Sequence, residues 1–119
     1  MHKIYFLKTC NTCSRIIKQL KLPESFIFQD IKENEITVNE LDHMRELAGS
    51  YEALFSKRAK LYKEMGLKGL ELSEEDIRDY ILQHYTFLKR PVIIFGDSIF
   101  IGNSKAVIEQ AHKALQGES

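Results

Sequence analysis

A chain of 119 residues with 44% hydrophobic side chains is long enough to bury a core as one domain, and too apolar to stay disordered. Its 17 Lys+Arg balance 17 Asp+Glu, and this zero net charge removes the general electrostatic case for direct nucleic-acid binding. Apolar runs stop at about four residues (Ile4–Leu7, Val92–Phe95) where a membrane span or a signal-peptide core needs far more, and two cysteines are too few for a disulfide scaffold or a four-cysteine zinc site, so a reducing, cytoplasmic setting is expected.

In chain order, Lys3–Leu7 is β-branched and aromatic and predicts a strand. Cys13–Leu22 follows, with Ile16, Ile17 and Leu20 at helical spacing and Pro23 as the expected stop. Phe26–Gln29 reads as a second short strand. Thr37 and Glu40 then form a T-x-x-E capping box ahead of Val38, Leu41, Met44 and Ala48 on one stripe, with Gly49 as the terminator. Tyr51–Met65 predicts one or two short helices ended by Gly66. Ser73 and Asp76 open another, with Ile77, Tyr80 and Ile81 inward. Val92–Phe95 and Ser98–Ile101, joined by Gly96-Asp97, read as a tight hairpin. Ser104 caps a last helix carrying Val107, Ile108, Ala111 and Leu115. The order is β-α-β, a helical insertion, then β-β-α, an α/β arrangement in which a small sheet carries helices on its faces. Most Phe and Tyr residues are expected in the core, and no apolar patch argues against a monomer.

Charge is uneven along the chain. Met1–Pro23 holds Lys3, Lys8, Arg15, Lys18 and Lys21 and no acid; Glu24–Leu47 is acidic; Lys57–Lys68 is basic again. Such runs are ordinarily solvated helix faces. The first one is of interest because both cysteines lie in it.

A thiol is nucleophilic only as thiolate, so a reactive cysteine needs a source of positive potential. Cys10 falls in the turn after the first strand, at the start of the first helix, where unpaired N–H groups and the positive end of the helix dipole converge. Lys8 and Arg15 add cationic potential, with no carboxylate nearby in sequence. Cys13 is about one helical turn on, within reach of Cys10, which makes Cys10 the attacking sulfur and Cys13 the resolving one. Free cysteines are more commonly small buried apolar residues. A C-x-x-C that follows a strand and opens a helix points instead to redox chemistry. A zinc site lacks a second cysteine pair, since His2, His43, His84 and His112 are scattered, and no metal is expected. Arg90-Pro91 stands immediately before a strand, X-Pro being the bond type that adopts cis readily. Arg90 is a candidate oxyanion ligand through its planar fork, and Arg58 is a second.

The constellation resembles the arsenate reductase (ArsC)/Spx family of thioredoxin-like proteins. The resemblance rests on Tyr5-Phe6-Leu7-Lys8-Thr9-Cys10-Asn11-Thr12-Cys13-Ser14-Arg15, on Ala53-Leu54-Phe55-Ser56-Lys57-Arg58 followed by Tyr62–Leu67, and on Leu88-Lys89-Arg90-Pro91-Val92-Ile93-Ile94 with Ile101-Gly102. It implies a single thioredoxin-like domain over residues 1–119, with an α-helical insertion at about 37–85. It also implies Cys10 as the redox-active cysteine and Arg90 as the arginine before a cis-proline, Pro91. The implied chemistry is attack of the Cys10 thiolate on arsenate or a disulfide. No cofactor is bound, and glutathione with glutaredoxin, or thioredoxin, is the reductant. The reductase branch has a histidine where Leu7-Lys8-Thr9 stands and an arginine where Gly102-Asn103 stands. Its mid-chain arginine is expected at Ser56, with Arg58 nearby. Cys13 and the placement of Arg58 are more similar to the Spx branch, whose members bind the C-terminal domain of the RNA polymerase α subunit and sense disulfide stress. A redox-sensing transcription regulator is therefore the alternative that the resemblance implies.

Overall fold

The β-branched and aromatic start of the chain forms β1 (His2–Phe6), and the periodic segment after it forms α1 (Asn11–Leu20). There follow β2 (Ile27–Asp30), α2 (Val38–Ala48), a 3₁₀ turn at Glu52–Leu54, α3 (Lys60–Glu64) and α4 (Glu74–Gln83). A second 3₁₀ turn at Tyr85–Phe87, the strands β3 (Val92–Phe95) and β4 (Ser98–Ile101), and α5 (Lys105–Gln116) complete the order. This computed structural model describes residues 1–117. The chain divides into two compact units, one of Met1–Asn34 with the segment from Arg90 on, the other of Glu35–Lys89.

The first unit is built on a four-stranded sheet in the order β2-β1-β3-β4. β1 runs parallel to β2, with Lys3 opposite Ile27, and antiparallel to β3, with Tyr5 opposite Val92. β3 and β4 close as a hairpin through Gly96-Asp97, with Phe95 opposite Ser98; Gly96 has φ 63°, which a two-residue hairpin turn requires and glycine adopts without steric cost. Because side chains alternate across a strand, Ile4 and Phe6 share a face with Ile93. There they form one apolar cluster with Cys13, Ile16 and Leu20 of α1, with Phe26, and with Ile108 and Ala111 of α5. Each large side chain fully buried in this way contributes about 1.5–3 kcal/mol.

Boundaries differ from the sequence expectation at three elements. β1 runs one residue earlier, His2–Phe6 in place of Lys3–Leu7. α1 starts at Asn11, and it ends at Leu20 rather than running on to Leu22. Lys21 enters the left-handed region (φ 51°, ψ 54°) and its N–H reaches the Lys18 carbonyl, so the helix is already closed two residues before Pro23. β2 is shifted one residue on: the Phe26 N–H bonds the Pro23 carbonyl in a turn, and the Phe26 ring drops into the cluster while Ile27 begins the strand. Phe28 departs from the expected core placement, being 43% exposed, and its neighbour Ile27 is 57% exposed. Both sit on an edge strand, where one side of the ribbon has no neighbour to cover them.

In the second unit the expected capping box at Thr37 forms, and the helix expected to open at Ser73 and Asp76 is capped in the same way. The Thr37 hydroxyl accepts from the Glu40 N–H while the Glu40 carboxylate accepts from the Thr37 N–H, and Ser73 and Asp76 repeat the arrangement for α4. Gly49 closes α2 with φ 94°. Leu41, Met44, Leu54, Phe55, Leu67, Ile77, Ile81, Phe87 and Leu88 are its buried side chains, with Phe55 and Phe87 stacked at 5.3 Å. Val38, expected on the inner stripe, is 45% exposed because it occupies the first position of the helix. Tyr51 donates its hydroxyl to Asp42 Oδ1 at 2.7 Å, and Arg78 Nε donates to the same oxygen at 3.3 Å.

Among the described residues no helix is long and apolar enough to cross a membrane. Ile93→Ala, which empties a fully packed position between sheet and helices, is expected to cost about 2–5 kcal/mol, and Thr37→Ala, which removes one cap, about 1 kcal/mol. Urea midpoints of the two variants, read at unchanged denaturant slope, check both values and their order.

Candidate active site at the start of the first helix

The residues that bear on chemistry gather where β1 ends. After Phe6 and Leu7 the chain reverses through Lys8-Thr9, the Cys10 N–H bonding the Leu7 carbonyl at 3.1 Å, and this four-residue turn delivers Cys10 as the N-cap of α1. Cys10 is extended (φ −90°, ψ 109°), and its carbonyl accepts the Ser14 N–H at 3.1 Å. The first turn of α1 contains no acidic side chain, so nothing there opposes the positive potential of its free N–H groups.

Both thiols are free, and the fold treats them oppositely. Partial burial works against ionisation of Cys10. It is outweighed by the amide of Cys13, the Cys13 thiol, the amide of Thr12 and the positive charge of Arg90, so the Cys10 thiol titrates below its ordinary value. The sulfur makes no close capping bond; the amides act as oriented dipoles rather than as a formal cap. Cys13, fully buried in the cluster under the sheet, is pushed up to about 11. Burial is the main cause, reinforced by the Cys10 sulfur it donates to and by the charge there, with the Leu7 backbone and Arg90 pulling the other way. The pair is therefore one thiol disposed to ionise and one held protonated.

Arg90 and Pro91 reach this place through the sheet. The antiparallel register that sets Tyr5 opposite Val92 brings the residues preceding β3 alongside the end of β1. The Arg90–Pro91 peptide is cis, Pro91 is buried, and its carbonyl accepts the Gly102 N–H at 2.9 Å, extending the β3–β4 pairing by one rung. Arg90 is half-buried. The structure thus brings together Cys10, Cys13, Arg90 and Pro91.

The other expected cations stand differently. Arg15 is exposed on α1, and Arg58 is exposed in the turn ahead of α3, in the second unit. Lys8 is exposed and pairs with the Glu33 carboxylate at 3.2 Å. The sequence shows no acid near Lys8, and the structure corrects the conclusion drawn from it: the acid comes from 25 positions away, in the turn after β2. The signal that would have found it is the parallel pairing of β1 with β2, which makes the turns leaving both strands neighbours at one edge of the sheet. His84 caps the end of α4 with its backbone and packs on Phe87, His112 is exposed, and His43 is half-buried rather than fully on the surface. Among the described residues no group of three or more His, Cys, Asp or Glu side chains is placed to hold a metal ion.

A pH profile of alkylation by iodoacetamide checks the asymmetry. A lowered pKa keeps the thiolate populated to lower pH, so the midpoint for Cys10 is expected below that of a free cysteine measured alongside it. Arg90→Met, which removes a stabilising cation, is expected to move that midpoint upward.

With this geometry in view, comparison with known proteins gives a consistent answer. Residues 5–111 match the ArsC family. An arsenate reductase of Haemophilus influenzae is 32% identical over 96 residues, covering 76% of this chain and 83% of that one. The structure of an arsenate reductase from Vibrio cholerae superposes with a TM-score of 0.76 at 19% identity, covering 94% of this chain and 95% of that one. A Staphylococcus aureus protein solved in solution gives 0.75 at 27% identity, with 92% and 97% covered. Matched along most of its length in both sequence and fold, the chain belongs to the ArsC family, the thioredoxin-like family of the arsenate reductase-like oxidoreductases.

Proposed function

We propose that the chain is a thiol oxidoreductase in which the Cys10 thiolate attacks an oxyanion, arsenate being the first candidate, or a disulfide. The observation that carries this reading is the placement of Cys10 at the N-cap of α1, with amide dipoles and Arg90 favouring its anion and a protonated partner thiol one helical turn away.

With arsenate, the Cys10 sulfur bonds to arsenic and an arsenate oxygen leaves as water. A second thiol then attacks the Cys10 sulfur. The S–As bond breaks with its electron pair going to arsenic, which passes from As(V) to As(III), and the two sulfurs join as a disulfide. That second thiol is either Cys13 or an external one such as glutathione; glutaredoxin or thioredoxin then restores the dithiol. Arg90 serves the step by holding the negative oxygens near the sulfur in a planar, bidentate grip. Arg15 is a further anion-attracting residue of this reading, Lys8 is a second whose charge is offset by Glu33, and Pro91 is the structural proline that fixes the backbone beside Arg90.

The asymmetry between the thiols suits this order of events. Part of what keeps Cys13 protonated is the electron-rich Cys10 sulfur beside it. When Cys10 is joined to a neutral disulfide sulfur that contribution is lost, whereas an arsenate adduct brings its own negative oxygens; burial, the larger cause, holds Cys13 protonated in both cases.

The alternative is a redox-switched regulator that binds the C-terminal domain of the RNA polymerase α subunit, and the specific observation favouring it is the second thiol, Cys13. Arsenate reduction coupled to glutathione, glutaredoxin and NADPH separates the two. Turnover is expected in the wild type, with a loss of more than about a thousandfold in Cys10→Ser and of about 10²–10³-fold in kcat/KM for Arg90→Met. No turnover in the wild type, with active coupling enzymes, removes arsenate for this reducing system; redox-dependent binding to the polymerase domain is then the reading to pursue.

A further inference from the structure

We infer that Glu33 sets the charge selectivity of the Cys10 site by engaging Lys8, the cation carried on the turn that delivers Cys10. This rests on the reading of Cys10 as the reacting thiol, and adds to it which substrates the site favours.

The argument begins with topology. β1 and β2 are neighbours and parallel, so both end at the same edge of the sheet, and the turns that leave them lie side by side. From β1 comes Lys8-Thr9, closed by the Cys10 N–H on the Leu7 carbonyl. From β2 comes the segment 31–34, and four hydrogen bonds fix it. Ile31 N–H donates to the Phe6 carbonyl at 3.0 Å, continuing the strand pairing. Lys32 N–H donates to the Asp30 side-chain Oδ1 at 3.0 Å, Asn34 N–H to the Asp30 carbonyl at 2.8 Å, and Gln29 Nε2 to the Asn34 carbonyl at 3.0 Å. Asp30, which organises this turn, is the one buried charged side chain among the described residues. Glu33 therefore projects from a built turn, and its carboxylate meets the Lys8 ammonium at 3.2 Å.

Both side chains are 62% exposed, so the pair adds little to stability. Its importance lies in the field at the rim. Lys8 is two residues from Cys10, inside one turn of chain, and its charge is cancelled by an acid supplied from the adjacent strand. An incoming dianion then meets Arg90 without the added attraction of Lys8, while a neutral disulfide is unaffected. Rim charges of this kind govern the rate of encounter and its dependence on salt.

The test uses the full chain and two aryl disulfides, dianionic 5,5′-dithiobis(2-nitrobenzoate) and neutral 4,4′-dithiodipyridine. With either, the Cys10 thiolate attacks one probe sulfur, the probe S–S bond breaks, and its electron pair leaves on the released aryl thiolate. The initial rate of that release is compared in the wild type, Glu33→Gln, Lys8→Met and the double variant. Glu33→Gln is expected to raise the anionic-to-neutral rate ratio about three- to tenfold at low ionic strength, the gain fading at about 0.5 M salt, with the neutral-probe rate unchanged. Loss of a negative charge alone would raise the ratio equally with Met at position 8. A gain at least about threefold larger with Lys8 present is the coupling that the inference requires. An unchanged ratio, or equal gains in both backgrounds, overturns it. Cys10→Ser is expected to react with neither probe; if it reacts at the wild-type rate, the assignment of Cys10 itself falls, which is a separate outcome.

Discussion

Everything at the site depends on the two different ways in which β1 is paired. Its parallel partner β2 and antiparallel partner β3 meet it from opposite sides, so the end of one four-residue strand, the start of another and the turn after β1 converge on a single sheet edge. Backbone hydrogen bonding, the least sequence-dependent interaction in the protein, thus brings Arg90 to Cys10 and Glu33 to Lys8. These residues are 80 and 25 positions apart along the chain. The side chains need only be present; the ladder delivers them.

The second constraint is the floor beneath Cys13. That residue belongs to the apolar cluster with Ile4, Phe6 and Ile93, and burial there raises its pKa, whereas Cys10, one turn earlier, stays at the helix end where amides point outward. A single helical turn separates a desolvating environment from a stabilising one. The C-x-x-C spacing matters physically because it spans that boundary: the same two residues placed mid-helix would both be buried or both exposed.

Much of this was legible in the sequence, for identifiable reasons. The capping box at Thr37, the helix start at Ser73 and the Gly96-Asp97 hairpin are local chemistry, complete within four residues, and they form as read. The position of Cys10 between strand and helix was equally plain, since a strand pattern and a helical stripe flank it. Two kinds of feature were not legible. Exact ends such as Lys21 depend on which residue accepts a left-handed backbone, and lysine gives no sign that it will. Contacts such as Lys8–Glu33 depend on which strands pair and in which direction, and a segment of four residues, IFQD, does not carry that information. The exposure of Phe28 has the same origin: whether a strand is central or at an edge is a property of the sheet.

Strand β2 has one more consequence, for the behaviour of the protein in concentrated solution. It is the end strand of its sheet, with Ile27 and Phe28 exposed, and apolar end strands are where another chain can add a strand. What limits it is length. The Phe26–Pro23 turn stops the ribbon on one side, and the side chain of Asp30 captures the Lys32 amide and curls the backbone away on the other. Four residues fall short of the six or seven-residue segments typical of stable cross-β stacking. The carboxylate of Asp30, by holding the Lys32 amide, thus helps both to end this edge and to shape the turn from which Glu33 meets Lys8.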